Sequence, residues 1–483
     1  MELSTLFTQL VPSVILGIDL LVRIWLLIQI PKKRKPTAAM AWLLLIFIAP
    51  VFGTILFFIL GNTKLSRVRR REQEEITRIL HFYTHELEKS QLIQSAPAPY
   101  NTSSTLATQL TGLAPTTHND VTVLTGYEAI IKAIIASINN AQHYVYVEFY
   151  ILALDTTTEP FFAALEAAKK RGVAVYVLFD AWGSHKFPRH KEMTRHLSSI
   201  TDDWHTILPL GLRFKKYNRP DLRNHRKIVV IDNSSAYIGS LNMVDKRYHR
   251  KDDISYIELA VRLKGPSVNN AAAVFASDWY SETKVALRDF VQNSAPAESG
   301  SSLVQLVPSG PSYPYQNNLK VFVSLIYSAK VSVTITNPYL VPDESLLSAL
   351  ISAAKRGVKV SILNSEAIDQ WLVAHAQRSY YSELLEAGVE IALYKKPQLV
   401  HEKYIAIDED VAIIGSSNLD IRSFELNLEC VVVVYEQKIA RQLVRRHHEL
   451  LKNARHVHLK QWKKRSGWQN FLDSIARLTS ALQ

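Results

Sequence analysis

Two stretches of this chain repeat each other, and that repeat constrains what the chain can fold into more than any other feature. The first, NHRKIVVIDNSSAYIGSLN, runs from Asn224 to Asn242, and the second, VHEKYIAIDEDVAIIGSSN, from Val400 to Asn418. Reduced to its polar skeleton, each is HxKxxxxD and then, after six residues, GSxN. The members are His225, Lys227, Asp232, Gly239, Ser240 and Asn242 in one copy, and His401, Lys403, Asp408, Gly415, Ser416 and Asn418 in the other.

The residues after each histidine are apolar and rich in Val and Ile, with a polar turn beyond them, which is the pattern of a buried strand. Side chains alternate along a strand, so His and Lys two apart project from one face. Each copy therefore presents an imidazole, which titrates near neutrality, beside a fixed cation. That pairing suits an anionic substrate: two lysines for the non-bridging oxygens of one phosphodiester and two histidines on opposite sides of phosphorus. At GSxN the glycine lets backbone come close, while Ser240, Ser416, Asn242 and Asn418 offer neutral hydrogen-bond partners to a substrate. Asp232 and Asp408 complete the motif, but their odd spacing from the histidines does not place them on the phosphate.

The paired motifs resemble those of the phospholipase D superfamily. The surrounding text, SLNMVDKRY at Ser240 to Tyr248, SSNLDIRSFELNLE at Ser416 to Glu429 and AMAWLLL at Ala39 to Leu45, is similar more narrowly to the bacterial cardiolipin synthases. The resemblance implies two duplicated phospholipase D-like α/β/α sandwich domains related by a pseudo-twofold axis, with catalytic roles for His225, Lys227, Asp232, His401, Lys403 and Asp408. It also implies that an acid downstream of each histidine orients the ring, and the matching positions are Glu258 in YIEL and Glu429 in NLEC. Both lie in apolar runs where an unpaired carboxylate is costly. The reaction implied is condensation of two phosphatidylglycerol molecules to cardiolipin and glycerol through a phosphatidyl-histidine, with His225 as nucleophile. The residues alone leave three rivals open: a hydrolytic phospholipase D or other phosphatidyl-alcohol synthase, a nucleic-acid phosphodiesterase, and a non-enzymatic lipid-binding protein.

Duplication extends beyond the motif. Ala167 to Leu178, AAKKRGVAVYVL, is echoed at Ala353 to Leu363, AAKRGVKVSIL. Each copy follows an amphipathic helix, one starting near Pro160 and the other capped by Asp343, and each helix stops at a glycine, Gly172 or Gly357. Strand, helix and strand at short intervals predict a mostly parallel sheet. The expected division is 1–62 a transmembrane helical hairpin, 63–119 a basic stalk and loop-rich connector, 120–295 the first domain and 303–483 the second. Asn293 to Ser302 has the composition of a linker.

The hairpin expectation rests on two apolar runs, Leu10 to Ile30 and Thr37 to Gly61, each long enough for a hydrocarbon core about 30 Å thick. Asp19 and Arg23 can pair on one helix face, and Pro50 and Gly53 interrupt the second run. The resemblance places the protein in the bacterial inner membrane as a multi-pass protein. Basic residues flank both the hairpin tip and its end, so the positive-inside rule is nearly balanced, with a lean towards a cytoplasmic catalytic body.

With 56 basic against 44 acidic residues the chain carries a formal charge of +12, which favours a polyanionic partner. Anionic phospholipid, phosphatidylglycerol or cardiolipin, and the bilayer are the expected partners rather than nucleic acid, and the sequence is silent on oligomeric state. One cysteine, Cys430, excludes an internal disulfide framework and a cysteine-based zinc site. His185, His190, His196 and His205 lack ligand-like spacing, and two lysines already neutralise a phosphate, so no metal or cofactor is expected. The basic run Arg213, Lys215, Lys216, Arg219 and Arg223 reads equally as a steering patch and a solvated edge. Gln461 to Gln483 has apolar residues at helical spacing and reads equally as a bilayer-surface helix and as one packed on the body.

Overall fold

The computed structural model describes residues 2–89, 92–209, 219–248, 254–287 and 299–480. They form two compact units, 1–64 and 65–483.

In the first unit a helix Glu2–Gln29 leads through a 3-10 turn at Pro31–Lys33 into helices Pro36–Ile48 and Pro50–Leu60. The second apolar run is thus two helices, because Pro50 has no N–H to continue the ladder from the first. At 13 and 11 residues these helices are about 20 and 16 Å long. Among the described residues no helix is long and apolar enough to cross a membrane. Asp19 and Arg23 form their expected ion pair, and Arg34 bonds the Gly61 carbonyl.

The second unit is built on one mixed sheet. In the first half its strands are β1 (Thr116–Thr125), β2 (Tyr144–Phe149), β3 (Ala174–Asp180), β4 (Asp203–Ile207), β5 (Arg223–Asn224), β6 (Ile228–Ile231), β7 (Ser235–Gly239), β8 (Ser255–Ile257) and β9 (Leu259–Lys264). In the second they are β10 (Ser302–Ser309), β11 (Ser332–Thr336), β12 (Leu340–Val341), β13 (Lys359–Ser365), β14 (Glu390–Tyr394), β15 (Gln398–Val400), β16 (Tyr404–Ile407), β17 (Val411–Gly415), β18 (Leu419–Asp420), β19 (Asn427–Val434) and β20 (Ala454–His456). Apart from the edge strand β20, the order β14-β13-β11-β16-β17-β19-β10-β1-β9-β7-β6-β2-β3-β4 reads the same from both ends. The mirror point is the β1–β10 pair, so the duplication in the sequence becomes a pseudo-twofold in the sheet.

Helices cover both faces. On one face of the first half, Val145, Val147 and Phe149 pack with helices Tyr127–Asn139, Glu159–Lys170 and His190–Ile200. On the matching face of the second, Val333 and Ile335 pack under Asn317–Ser328, Glu344–Lys355 and Trp371–Ala387. The opposite face is a single core shared by both halves beneath Ser267–Thr283 and Gln437–Leu451. Asp343 caps its helix through Ser345 N–H, and Gly172 and Gly357 both adopt φ of 87° at the helix ends, as the sequence predicts.

Two expectations are corrected. The sheet is not mostly parallel: along its length parallel pairing is found in β2–β3–β4 and β11–β13–β14, with short parallel pairs made by β5, β8 and β12, and the motif strands are antiparallel. The reason is that each motif is a hairpin, β6–β7 or β16–β17, and a tight turn cannot return a strand in parallel. The connector 95–119 is not loop-rich either, since Asn101–Thr111 is a helix whose Ala107 enters the core. Its buried serines find partners, Ser103 on Ser324 and Ser104 on Gln305. The charged stalk, now helix Arg67–Lys89, docks on the body through Arg69 and Glu282 at 2.8 Å. Of the linker, residues 293–298 lie outside the described residues, and Ser302 already belongs to β10.

The hairpin turns assign the motif aspartates a structural part. Asp232 and Asn233 have φ of 50° and 49°, and Asp408 and Glu409 have 51° and 56°. Positive φ at both central positions is the type I′ turn that matches strand twist, and Asp tolerates it. Each carboxylate then accepts backbone N–H groups at the head of the neighbouring strand: Gln142, His143 and Tyr144 on Asp232, and Lys330, Val331 and Ser332 on Asp408. Asp232 and Asp408, expected to be catalytic, are therefore fasteners at the far end of the motif strands. Replacing Asp408 by Ala should destabilise the folded unit by about 2–4 kcal/mol through three orphaned donors. A thermal unfolding midpoint that does not fall would contradict this.

Candidate functional site

The sequence leaves the two histidines on separate halves, and the short strands β5 and β15 bring them together. β5 pairs in parallel with β19 of the second half, and β15 pairs in parallel with β8 of the first. Backbone bonds extend both pairings by one residue, from His225 N–H to the Leu428 carbonyl and from His401 N–H to the Ile257 carbonyl, each 2.8 Å. Each histidine thus enters its motif strand while its backbone is held by the opposite half.

The side chains cross in the same way. His225 Nδ1 donates to Glu429 at 2.9 Å, and His401 Nδ1 donates to Glu258 at 2.9 Å. Orientation of each ring therefore comes from the acid of the other half, and not from the acid downstream in its own. Both glutamates are buried, and each takes a second bond from a motif serine, Ser240 on Glu258 and Ser416 on Glu429. This corrects the expectation that Ser240 and Ser416 face substrate: their hydroxyls are spent on the carboxylates and on N–H of Leu259 and Cys430. Gly239 and Gly415 make that approach possible, since a Cβ on either would stand 2.4 Å from a carbonyl oxygen of the facing strand.

With Nδ1 engaged, each ring leaves Nε2 for chemistry. Lys227 and Lys403 lie on the same strand faces as their histidines, and each ammonium donates to the preceding histidine carbonyl, at 2.9 and 2.8 Å. Tyr150 lies beside both His225, at 5.1 Å between rings, and Lys227, whose Nζ is 5.4 Å from the ring centre. Tyr256 stands edge-on to His401 at 5.2 Å. Asn242 Oδ1 accepts from Ile151 N–H, whereas Asn418 Oδ1 is buried with no partner among the described residues.

Electrostatics show that the four basic side chains share one enclosure. Burial, then the charges of Lys227, Lys403, His401 and Arg422, push the His225 imidazole well below its ordinary 6.5. His401 is lowered by burial and the lysines, but the Glu258 charge opposes this. Burial brings Lys227 down to about 7 and Lys403 down to about 8, and each lysine's field depresses His225 further. Against its own burial, Glu258 is held down to about 2 by His401 and Lys403, whereas burial lifts Glu429 to about 7. Four basic side chains thus lie together in a dry setting that disfavours their charge, and a phosphodiester anion would favour it.

Other candidates fall elsewhere. Arg223 is buried in an ion pair with Asp180, and Arg219 is paired with Asp221, so neither is a free steering cation. Arg213, Lys215 and Lys216 lie outside the described residues. His205 pairs with Asp203, and His185 stacks near His190 in the helical segments before β4. Cys430 is buried on β19 with its thiol pushed up to about 12 by burial.

The sequence reading missed the residues between His and Lys. Arg226 points to the opposite strand face, where it pairs with Asp278 and donates to the Glu429 carbonyl at 3.0 Å. Glu402 in the second half is buried against Arg446 at 2.7 Å. The available signal was an ionised residue in an apolar strand, which demands a buried partner. Arg422, Tyr150 and Tyr256 carry no such signal, because a short helix, the turn after β2 and the strand β8 bring them in.

The crossed pairing makes a specific expectation. In protein labelled with nitrogen-15 at histidine, Glu429→Gln should move the Nδ1 resonance of His225 and leave that of His401, and Glu258→Gln should do the reverse. Acids acting on the histidines of their own halves would give the opposite assignment.

Comparison with known proteins agrees with this architecture. The family described as "Cardiolipin synthase, PLD-like domain" matches residues 134–279 and 322–451, and "Phospholipase D-nuclease N-terminal" matches 21–62. Cardiolipin synthase A of Serratia proteamaculans is 32% identical over 99% of this chain and 100% of its own length. Cardiolipin synthase A of Proteus mirabilis is 32% identical over 95% of this chain and 96% of its own. Among solved structures, phosphatidylserine synthase of Haemophilus influenzae aligns with a TM-score of 0.59 over 79% of this chain and all of that one, at 13% identity, a likeness of fold.

Proposed function

The chain belongs to the cardiolipin synthases built on phospholipase D-like domains, enzymes of phospholipid synthesis, and from that premise we propose the course of its reaction: two phosphatidylglycerol molecules become cardiolipin and glycerol through a phosphatidyl-histidine. The observation that carries the reading is the pair of imidazoles, each tied through Nδ1 to a carboxylate, sharing one buried site with two lysines.

In the first step the neutral His225 Nε2 attacks phosphorus of one phosphatidylglycerol. The bond to the head-group glycerol breaks, and protonated His401 gives its proton to the departing oxygen. In the second step a free hydroxyl of another phosphatidylglycerol yields its proton to His401. The resulting oxygen attacks phosphorus, and the bond to His225 breaks. Protons and charge balance over the cycle. The two acids support this division of roles: Glu258 stays ionised and favours imidazolium at His401, whereas His225 has no comparable offset to its burial. Lys227, Lys403 and the Nδ2–H groups of Asn242 and Asn418 meet the equatorial oxygens as charge develops.

Residues 1–62 anchor the enzyme in the bacterial inner membrane as a broken helical hairpin, with the catalytic body on the cytoplasmic face. The family match at 21–62 and the mean apolar character of the helices support this. A reporter fused after Gln483 should be active in the cytoplasm, and external activity would overturn that side assignment.

Purified protein given phosphatidylglycerol vesicles should yield cardiolipin and glycerol by mass spectrometry, and His225→Ala or His401→Ala should lower the rate by at least ~10³-fold. Phosphatidic acid as the main product would point to hydrolysis instead. The pH profile follows from the lysines and His401: as pH rises past about 7 to 8 the lysines lose the charge that binds phosphate, and His401, lowered by burial, sheds the proton it must donate, so kcat/KM should fall on that limb. The acid limb lies below pH 6.5, because His225 stays neutral until then. A kcat/KM unchanged between pH 7 and pH 9.5 would contradict the assignment.

A further inference from the structure

The carboxyl-terminal helix Gly467–Leu478 buries Asp473 and Ala476 and leaves its large apolar side chains, apart from the half-buried Leu472, exposed. Its inward face is Asp473, which accepts from His375 Nδ1 at 2.6 Å and pairs with Arg465, together with buried Ala476. The contacts His375 to Asp473 and Tyr380 to Ser480 run in the same direction, so this helix lies parallel to Trp371–Ala387. Facing outward are Trp468, Phe471, Ile475 and Leu478, between 47 and 80% exposed, and the rings of Trp468 and Phe471 stack at 5.5 Å. Their spacing of three, four and three residues is one continuous helical stripe. The parallel packing sets exposed Trp371 and Leu372 at the end that carries Trp468. A soluble helix normally does the reverse, so this face needs a cover.

Charge identifies the cover. Between Leu459 and Ser480 five cations, Lys460, Lys463, Lys464, Arg465 and Arg477, stand against one acid, Asp473, and the helix alongside answers two of them, Lys463 through Glu386 and Arg477 through Glu383. Beside the stripe, at Gln469, opens a cleft of about 350 Å³ whose walls include Arg378, Lys396, Arg455 and Arg465 against the single acid Glu366. An apolar stripe with interfacial tryptophans, a surround of cations and a cationic cleft at its edge match an anionic bilayer surface, acyl chains under the stripe and phosphates in the cleft. A protein partner would have to be both apolar and acidic in the same pattern.

We propose that the helix Gly467–Leu478, with Trp371 and Leu372, docks the catalytic body on the surface of an anionic phospholipid bilayer through Trp468, Phe471, Ile475 and Leu478. The proposal rests on the reading of the chain as a lipid-handling enzyme, and its test separates the two.

Because the sole cysteine, Cys430, is buried, a Phe471→Cys chain accepts one thiol-reactive, environment-sensitive fluorophore. The labelled full chain is reconstituted into phosphatidylglycerol vesicles with or without spin-labelled acyl chains. A blue-shifted emission quenched by the spin label is expected, and a label at exposed Lys191→Cys should show neither effect. No shift would overturn the proposal. So would a shift that grows with protein concentration but escapes quenching, since a second copy would then be the cover. In parallel, the triple variant Trp468→Ser, Phe471→Ser, Leu478→Ser should lose roughly fivefold or more of its rate on vesicles and keep it in detergent micelles containing phosphatidylglycerol. Equal rates on vesicles, or equal losses in both settings, would also overturn it. Failure of the unaltered chain to make cardiolipin in micelles would instead sink the reaction assigned above and leave the fluorescence result standing.

Discussion

The hydrogen bond from each imidazole to a carboxylate of the opposite half is the contact on which the rest of this structure depends. A buried carboxylate is expensive, and in its own half each glutamate receives a neutral serine hydroxyl, while the imidazole that completes its partners comes from the other half. Bringing the halves together therefore satisfies two charges at once and, in the same step, fixes two rings with Nε2 free. The parallel pairings of β5 with β19 and of β8 with β15 hold the backbone in the register that these bonds require. The core shared under Ser267–Thr283 and Gln437–Leu451 then makes the junction an interior rather than a hinge.

Enclosure also sets the chemistry. Two lysines and two histidines in a dry space depress one another, so the resting site waits for negative charge. A phosphodiester restores the lysine protons while being polarised by them, which is stabilisation placed where charge develops. The near symmetry of the halves is broken by small differences in surroundings. Glu258 stays anionic beside His401, and Arg422 adds its field at His225. Those differences lower the His225 imidazole further than that of His401, although the two rings are chemically identical.

Much of this was legible in the residues. The alternation of His and Lys with apolar neighbours marked the motif strands, Asp343 and the two helix-ending glycines marked helix limits, and the doubled text marked the pseudo-twofold. The crossing was not legible, because Glu258 and Glu429 each follow one motif at an equivalent place and only three-dimensional pairing shows which histidine each one meets. The part played by Asp232 and Asp408 was hidden for a different reason: their positive φ belongs to the turn, and a one-letter pattern does not display backbone angles. Likewise the Ser- and Thr-rich text of Asn101–Thr111 has the composition of a loop, whereas Ser103 and Ser104 point inward and bond Ser324 and Gln305. The antiparallel motif hairpins were masked by the flanking strand-helix-strand units, whose own pairing is parallel.

The central claim is that one phosphorus is served by both halves, one ring attacking and the other moving the proton. Single-turnover reaction of a His401→Ala chain with an aryl phosphodiester tests it most directly, because an aryl oxide leaves without a proton. The account expects one equivalent of the phenol in a burst, then arrest, with the adduct found on His225 by peptide mass spectrometry. No burst, or an adduct on any other residue, would contradict it.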